Sequence, residues 1–140
     1  MTYTFFDHTG DIGVRLAAPS LDALFADAAL AFTETMLDPA RAEATSPYRV
    51  DIASATLDSL LVDWLDELLY LFEVRNLLVA RTDVRVRETA SGWSLEGLIG
   101  ADTFDARRHP IKVLVKGVTY HQLEIRRTPE GWQTTVIFDI

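Results

Sequence analysis

A chain of 140 residues that is 49% hydrophobic, with seven Phe, four Tyr and three Trp, is long enough for one hydrophobic core and too apolar to belong with disordered sequences. It has no cysteine, which excludes disulfides and thiolate metal sites and makes an intracellular setting the simpler expectation. Its 21 acidic against 13 basic residues leave a net charge of −8, which argues against gripping RNA or DNA over a broad surface and favours cations or a partner with a basic face.

The N-terminus has no basic region followed by an apolar run, so no signal peptide is expected. No apolar stretch approaches the roughly 20 residues that span a bilayer. A single domain over residues 1–140 and a cytoplasmic location are the corresponding expectations.

In chain order, residues 3–17 read as a strand pair or bent strand. Gly10 and Gly13 flank an acidic turn there and permit a sharp bend or a close backbone approach. Ser20 is a good N-cap for a helix running to Met36, with Leu21, Leu24, Phe25, Ala28 and Phe32 on one face. Asp22 sits in its first turn, and Asp38-Pro39 stops it. Residues 39–47 read as loop and 48–52 as a short strand. Ser54 is expected to open a second helix to Arg75, striped by Leu57, Leu60, Leu61, Trp64, Leu65, Leu68 and Phe72, with Asn76 closing it in the left-handed conformation.

The remainder reads as strands. Residues 84–88 alternate, Ala90-Ser91-Gly92 turns, and Trp93, Leu95, Gly97 and Ile99 alternate again. Residues 102–110 are polar and read as loop. Ile111–Val115 is apolar until Lys116-Gly117 interrupts it, residues 120–127 alternate, residues 128–131 turn, and residues 132–140 form a last strand. Two amphipathic helices packed on a largely antiparallel sheet, without strand–helix alternation, make this an α+β fold.

Three constellations could carry chemistry. Asp7, His8 and Asp11 share a glycine-containing turn, where an aspartate more often bonds its own backbone than a ligand. Lys116 to His121 offers either a bulge with a solvated lysine or a cation set beside the acidic turn. In the last strand Asp139 is followed directly by the main-chain carboxylate of Ile140, and oxygen donors clustered in this way suit a hard divalent cation, with Asp11 as a third donor if the N-terminal segment folds alongside. Asp63, Asp66 and Glu67 read as a solvated helix face. No phosphate-binding glycine loop and no nucleophile elbow are present.

Asp7-His8-Thr9-Gly10-Asp11-Ile12-Gly13, residues 61–73 (Leu61 to Glu73), Lys116-Gly117-Val118-Thr119-Tyr120-His121 and Val136-Ile137-Phe138-Asp139-Ile140 together resemble the archease family, in order and over the whole chain. The family often has Ala at the positions of Gly10 and Gly117, a small-for-small exchange. The resemblance implies an accessory protein rather than a catalyst. It would activate an RtcB-type RNA ligase in tRNA splicing or RNA repair by promoting ligase guanylylation and multiple turnover and by broadening nucleotide use. It also implies a divalent-metal site, Ca2+ before Mg2+ or Mn2+, at Asp11, Asp139 and Ile140, with Lys116 as the functional lysine. His8 and His121 are further partner-facing or functional candidates from the sequence, His8 alone being more often a structural residue than a ligand. A chaperone-like modulator of RNA-modifying enzymes and a metal-dependent phosphoesterase are the rival readings. Strong direct nucleic-acid binding and membrane association are not expected.

Overall fold

The computed structural model describes residues 2–8, 10–120 and 123–140, without the side chains of Thr2 and His8. Strands β1 (Thr2–His8) and β2 (Asp11–Ala18) form a hairpin, followed by helix α1 (Leu21–Met36), a 3-10 turn at Pro39–Arg41 and strand β3 (Ser46–Ser54). Helix α2 (Leu57–Arg75) leads into β4 (Leu77–Thr89), β5 (Gly92–Thr103), the short β6 (Gly117–Thr119) and β7 (Arg126–Thr128), and β8 (Gly131–Asp139). A five-stranded sheet has the order β1-β2-β8-β6, with β7 also on β8, and a three-stranded sheet has the order β3-β5-β4. Every pairing is antiparallel, so the expected α+β class holds.

Both helices begin and end for local reasons. The Ser20 side chain accepts the Ala23 N–H at 3.1 Å, relieving one of the unpaired donors at the start of α1. The second helix opens two residues later than expected. Ser54 instead ends β3 and gives its hydroxyl to Asp63 at 2.5 Å, while Thr56 caps α2 and Ser59 returns the bond as a capping box. Asn76 closes α2 at φ 58 and ψ 36, as the sequence indicates.

Leu24, Phe25 and Phe32 of α1 and Leu61, Trp64, Leu65 and Leu68 of α2 are buried in a cluster with Val14, Leu16, Val136 and Phe138 from the large sheet and Leu95 and Ile99 from the small one. Trp64 satisfies its indole N–H on the Phe25 carbonyl at 3.0 Å, which lets a large amphipathic ring sit at 0% exposure. The last strand alternates as expected, with Thr134, Val136 and Phe138 inward and Thr135 and Asp139 outward. No helix among the described residues is long and apolar enough to cross a membrane.

The apolar run at Ile111–Val115 departs from the strand reading. It forms no ladder. The Lys112 N–H bonds the Met36 carbonyl at the end of α1, and the Lys116 N–H bonds the Asp139 carbonyl, both at 2.7 Å. Residues 111–116 therefore form a strap between the end of α1 and the end of β8. Val115 is buried and Leu114 is 54% exposed.

Candidate metal centre at the sheet end

The register of the large sheet assembles the site. His8 pairs with Asp11, Asp11 with Asp139, and Asp139 with Gly117. Residues directly opposite in antiparallel strands project to the same face, so Asp11 and Asp139, 128 positions apart in the chain, become cross-strand neighbours. Like charges in that relation are unfavourable without a counter-charge. An open cavity of about 640 Å³ lies beside them, lined by Asp7, Gly10, Asp11, Val113, Leu114, Lys116 and Ile140. The strap thus brings Lys116 to the same place as the acidic turn and the end of β8.

The donor chemistry fits a hard cation: two side-chain carboxylates, with the main-chain oxygen of Ile140 beside them. Among the described residues no three acidic or imidazole side chains group closely enough to hold a metal by themselves, so a cation here would need a further donor. At the sequence level His8 and His121 are further candidates. His8 is placed here only by its backbone register opposite Asp11, and His121 lies outside the described residues.

The two glycines expected to be exchangeable with alanine differ. Gly117 has open space where a Cβ would stand, whereas Gly10 adopts φ +73 in the β1–β2 turn, so alanine there would be strained even though nothing crowds it. Gly13 serves the close approach that the sequence allowed. A Cβ on it would overlap the ring of Phe6, and the Arg15 guanidinium rests on that ring, 4.0 Å from its centroid.

A buried polar cluster behind the strap escaped the sequence reading, which took residues 102–110 as polar loop. Asp102 is 2% exposed and His109 0%. The Asp102 carboxylate accepts the Glu43 N–H at 3.0 Å, two bonds from Arg108 at 2.9 and 3.3 Å, and His109 Nε2 at 3.0 Å. His109 Nδ1 accepts the Asp105 N–H at 3.0 Å, so the imidazole proton belongs on Nε2, pointing at Asp102. Burial alone would raise the Asp102 carboxyl, but the hydrogen bonds from Arg108, Glu43 and His109 outweigh it and hold it below the ordinary carboxylate range. The His109 ring stacks on Phe104, which meets Phe72 of α2 edge to face. Together these contacts anchor the loop from which the strap departs.

On α2, partial desolvation and the nearby Asp63 push the Asp66 carboxyl up. Desolvation and the charges of Asp66 and Asp63 likewise raise the Tyr120 hydroxyl. This acidic helix face thus lies within electrostatic reach of Tyr120, and Asp66 itself is exposed, as expected of a solvated face.

The Archease protein family (MTH1598/TM1083) matches residues 3–140 of this sequence. The chain belongs to the archease family. Curated archeases of Methanosarcina acetivorans and Pyrococcus furiosus are 35% and 31% identical to it, over 99% and 96% of this chain and 95% and 96% of theirs. The solution structure of Methanobacterium thermoautotrophicum protein 1598 superimposes with a TM-score of 0.80 at 34% identity, covering 99% of this chain and 98% of that one. A Thermotoga maritima protein solved as an archease, possible chaperone, shares the archease fold with a TM-score of 0.61 at 18% identity, over 96% and 94% of the two chains.

Proposed function

We propose that this archease-family chain is a metal-binding accessory protein that activates an RtcB-type RNA ligase, promoting ligase guanylylation and multiple turnover, and is not itself the catalyst. The observation that carries the reading is the pairing of Asp11 with Asp139 across β2 and β8, beside a cavity that also takes in Lys116 and Ile140. Asp11, Asp139 and the Ile140 carboxylate would hold a divalent cation, Ca2+ first and Mg2+ or Mn2+ as alternatives. The ion would supply a hard positive centre able to draw phosphate oxygens. Lys116, tied through its own N–H to the Asp139 carbonyl, offsets part of the paired negative charge and meets the partner. A net charge of −8 supports action on a protein rather than a long grip on RNA. A cytoplasmic location fits this role.

The test is turnover of a purified RtcB-type ligase on a cleaved RNA with guanosine triphosphate, with and without this protein. Many turnovers should require it, and Asp139→Ala should remove the stimulation while the variant stays folded. Full stimulation by folded Asp139→Ala would overturn the site. No stimulation by the parent protein of a ligase from its own host would overturn the role, and would favour the chaperone-like reading that the name of the Thermotoga maritima relative carries.

A further inference from the structure

Sheet edges carry unpaired N–H and C=O groups that invite another strand, and folded proteins blunt them with bulges, charges, prolines, short strands or covering elements. Most edges here are blunted. On β4, Asp22 of α1 takes the Val86 N–H at 2.8 Å, Thr33 of α1 bonds the Val79 carbonyl at 2.8 Å, and a bulge interrupts the ladder between Val79 and Arg81. Strand β3 carries Pro47 and the charged pair Arg49 and Asp51. Strands β6 and β7 are three residues each.

Strand β1 has none of these devices over most of its length. Its seven residues pair with β2 in one unbroken register, from Thr2 opposite Ala17 to His8 opposite Asp11. Its sequence TYTFFDH contains no proline, lysine or arginine, and its one carboxylate, Asp7, sits at the end nearest the candidate site. In an antiparallel pair alternate residues turn their backbone groups away from the partner. Among the described residues no backbone group from outside the hairpin bonds to those of β1.

A groove accompanies this edge. A cavity of about 390 Å³ between β1, the end of α1 and the strap is lined by apolar Phe5, Phe6, Ile12 and Val113 and by polar Glu34 and Lys112, among others. It shares Asp7 and Val113 with the cavity of the candidate metal centre, so the two adjoin.

We infer that the free edge of β1 and its groove take up an extended segment of the partner protein by strand addition, leading that segment to the Asp11–Asp139 centre. Main-chain bonds would supply the attachment and the groove would select alternate apolar side chains. The acidic end at Asp7 and Asp11 favours a basic residue where the segment reaches the site. A second copy of this chain is the poorer occupant, because each copy carries −8 and like net charge opposes association. The inference rests on the accessory role proposed above.

Hydrogen exchange of the full chain, alone and saturated with a purified RtcB-type ligase, tests it. Outward-facing amides of β1 should exchange about tenfold more slowly or less in the complex. Thr4→Lys, an exposed edge position, should weaken ligase binding about tenfold while leaving Ca2+ binding by calorimetry and the melting temperature unchanged. A saturated complex with unprotected β1 amides overturns the inference and leaves the accessory role standing. Absence of any complex overturns both. Protection of the same amides in the protein alone, rising with its concentration, would assign the edge to self-association and overturn the partner assignment.

Discussion

Replacing Asp102 by alanine should be among the most damaging single changes outside the apolar core, although Asp102 lies outside the candidate metal centre. The variant would release two donors that the carboxylate now satisfies, the Glu43 N–H and the His109 Nε2–H, each at 3.0 Å. Leaving the buried His109 donor unpaired costs about 1–3 kcal/mol, whereas Glu43 is exposed and its N–H can turn to water. The Arg108 pair adds little, because its side chain is 44% exposed and water screens it. The expected loss is therefore about 1–3 kcal/mol, set by the stranded His109, which is a large share of the roughly 5–15 kcal/mol that holds a domain folded. Urea titration at pH 7 should show that loss as a lower midpoint with an unchanged slope, and the melting temperature should fall by roughly 3–10 °C.

The pH dependence gives a second check on the same variant. The folded Asp102 carboxyl titrates below its ordinary value, so its stabilisation is complete above the unfolded value of about 3.9 and disappears as pH falls through the lower folded value. The gap between parent and variant attributable to this carboxyl should therefore be flat from neutral pH down to about 4 and close between there and the lower folded value. A loss under about 1 kcal/mol at pH 7 would refute the picture of a cluster whose members depend on the carboxylate.

Gly13→Ala should cost no more than about 1 kcal/mol, because its Cβ meets the far end of the half-buried Phe6 ring, which can swing aside; thermal denaturation measures the loss, and combining it with Phe6→Ala should recover part of it. Asn76→Ala places a Cβ without a compensating side-chain bond at φ 58 and gives up the 3.2 Å bond to the Phe104 carbonyl, so about 1–2 kcal/mol is expected by urea titration, while Asn76→Gly should lose less. Thr56→Ala removes the acceptor of the Ser59 N–H and should cost about 0.5–2 kcal/mol, whereas Ser54→Ala should leave the start of α2 intact by circular dichroism. A short C-terminal extension beyond Ile140 should weaken Ca2+ binding measured by calorimetry, while an N-terminal one should not; equal affinities would remove the main-chain carboxylate from the ligand set.

The helices were legible because their signals are local. A 3.6-residue apolar period needs only the residues of the helix itself, and Ser20 and Asn76 are terminal signals readable one residue at a time. The start of α2 was misplaced for the same reason. Ser54 and Thr56 are equally good caps in isolation, and the choice falls to Thr56 because Ser59 stands three residues on and completes the box, while Asp63 engages Ser54 from within the helix. Ile111–Val115 was read as an apolar run among the strands, yet composition alone does not say what receives the backbone bonds. Here the receivers are Met36 and Asp139, which makes a strap of what could have been a strand.

The candidate site divides along the same line. Asp11 and Asp139 could be named from the sequence as oxygen donors, but their neighbourhood follows from the β2–β8 register, a pairing between the two ends of the chain that no local pattern encodes. Asp102 and His109 gave less away still. A lone Asp and a lone His in a polar loop look solvated, and the closing contact, the Glu43 N–H, lies 59 residues back. Yet these two buried residues decide where the strap begins, and the strap decides where Lys116 stands. The acidic pair and its lysine are therefore held from both sides, by the ladder through Asp139 and by the buried anchor through residues 110–116. If the anchor matters to function as well as to folding, His109→Ala should weaken ligase stimulation through the placement of Lys116 while Ca2+ affinity, which depends on the β2–β8 register, is kept. Loss of both in equal measure would show instead that the strap and the sheet end move as one unit.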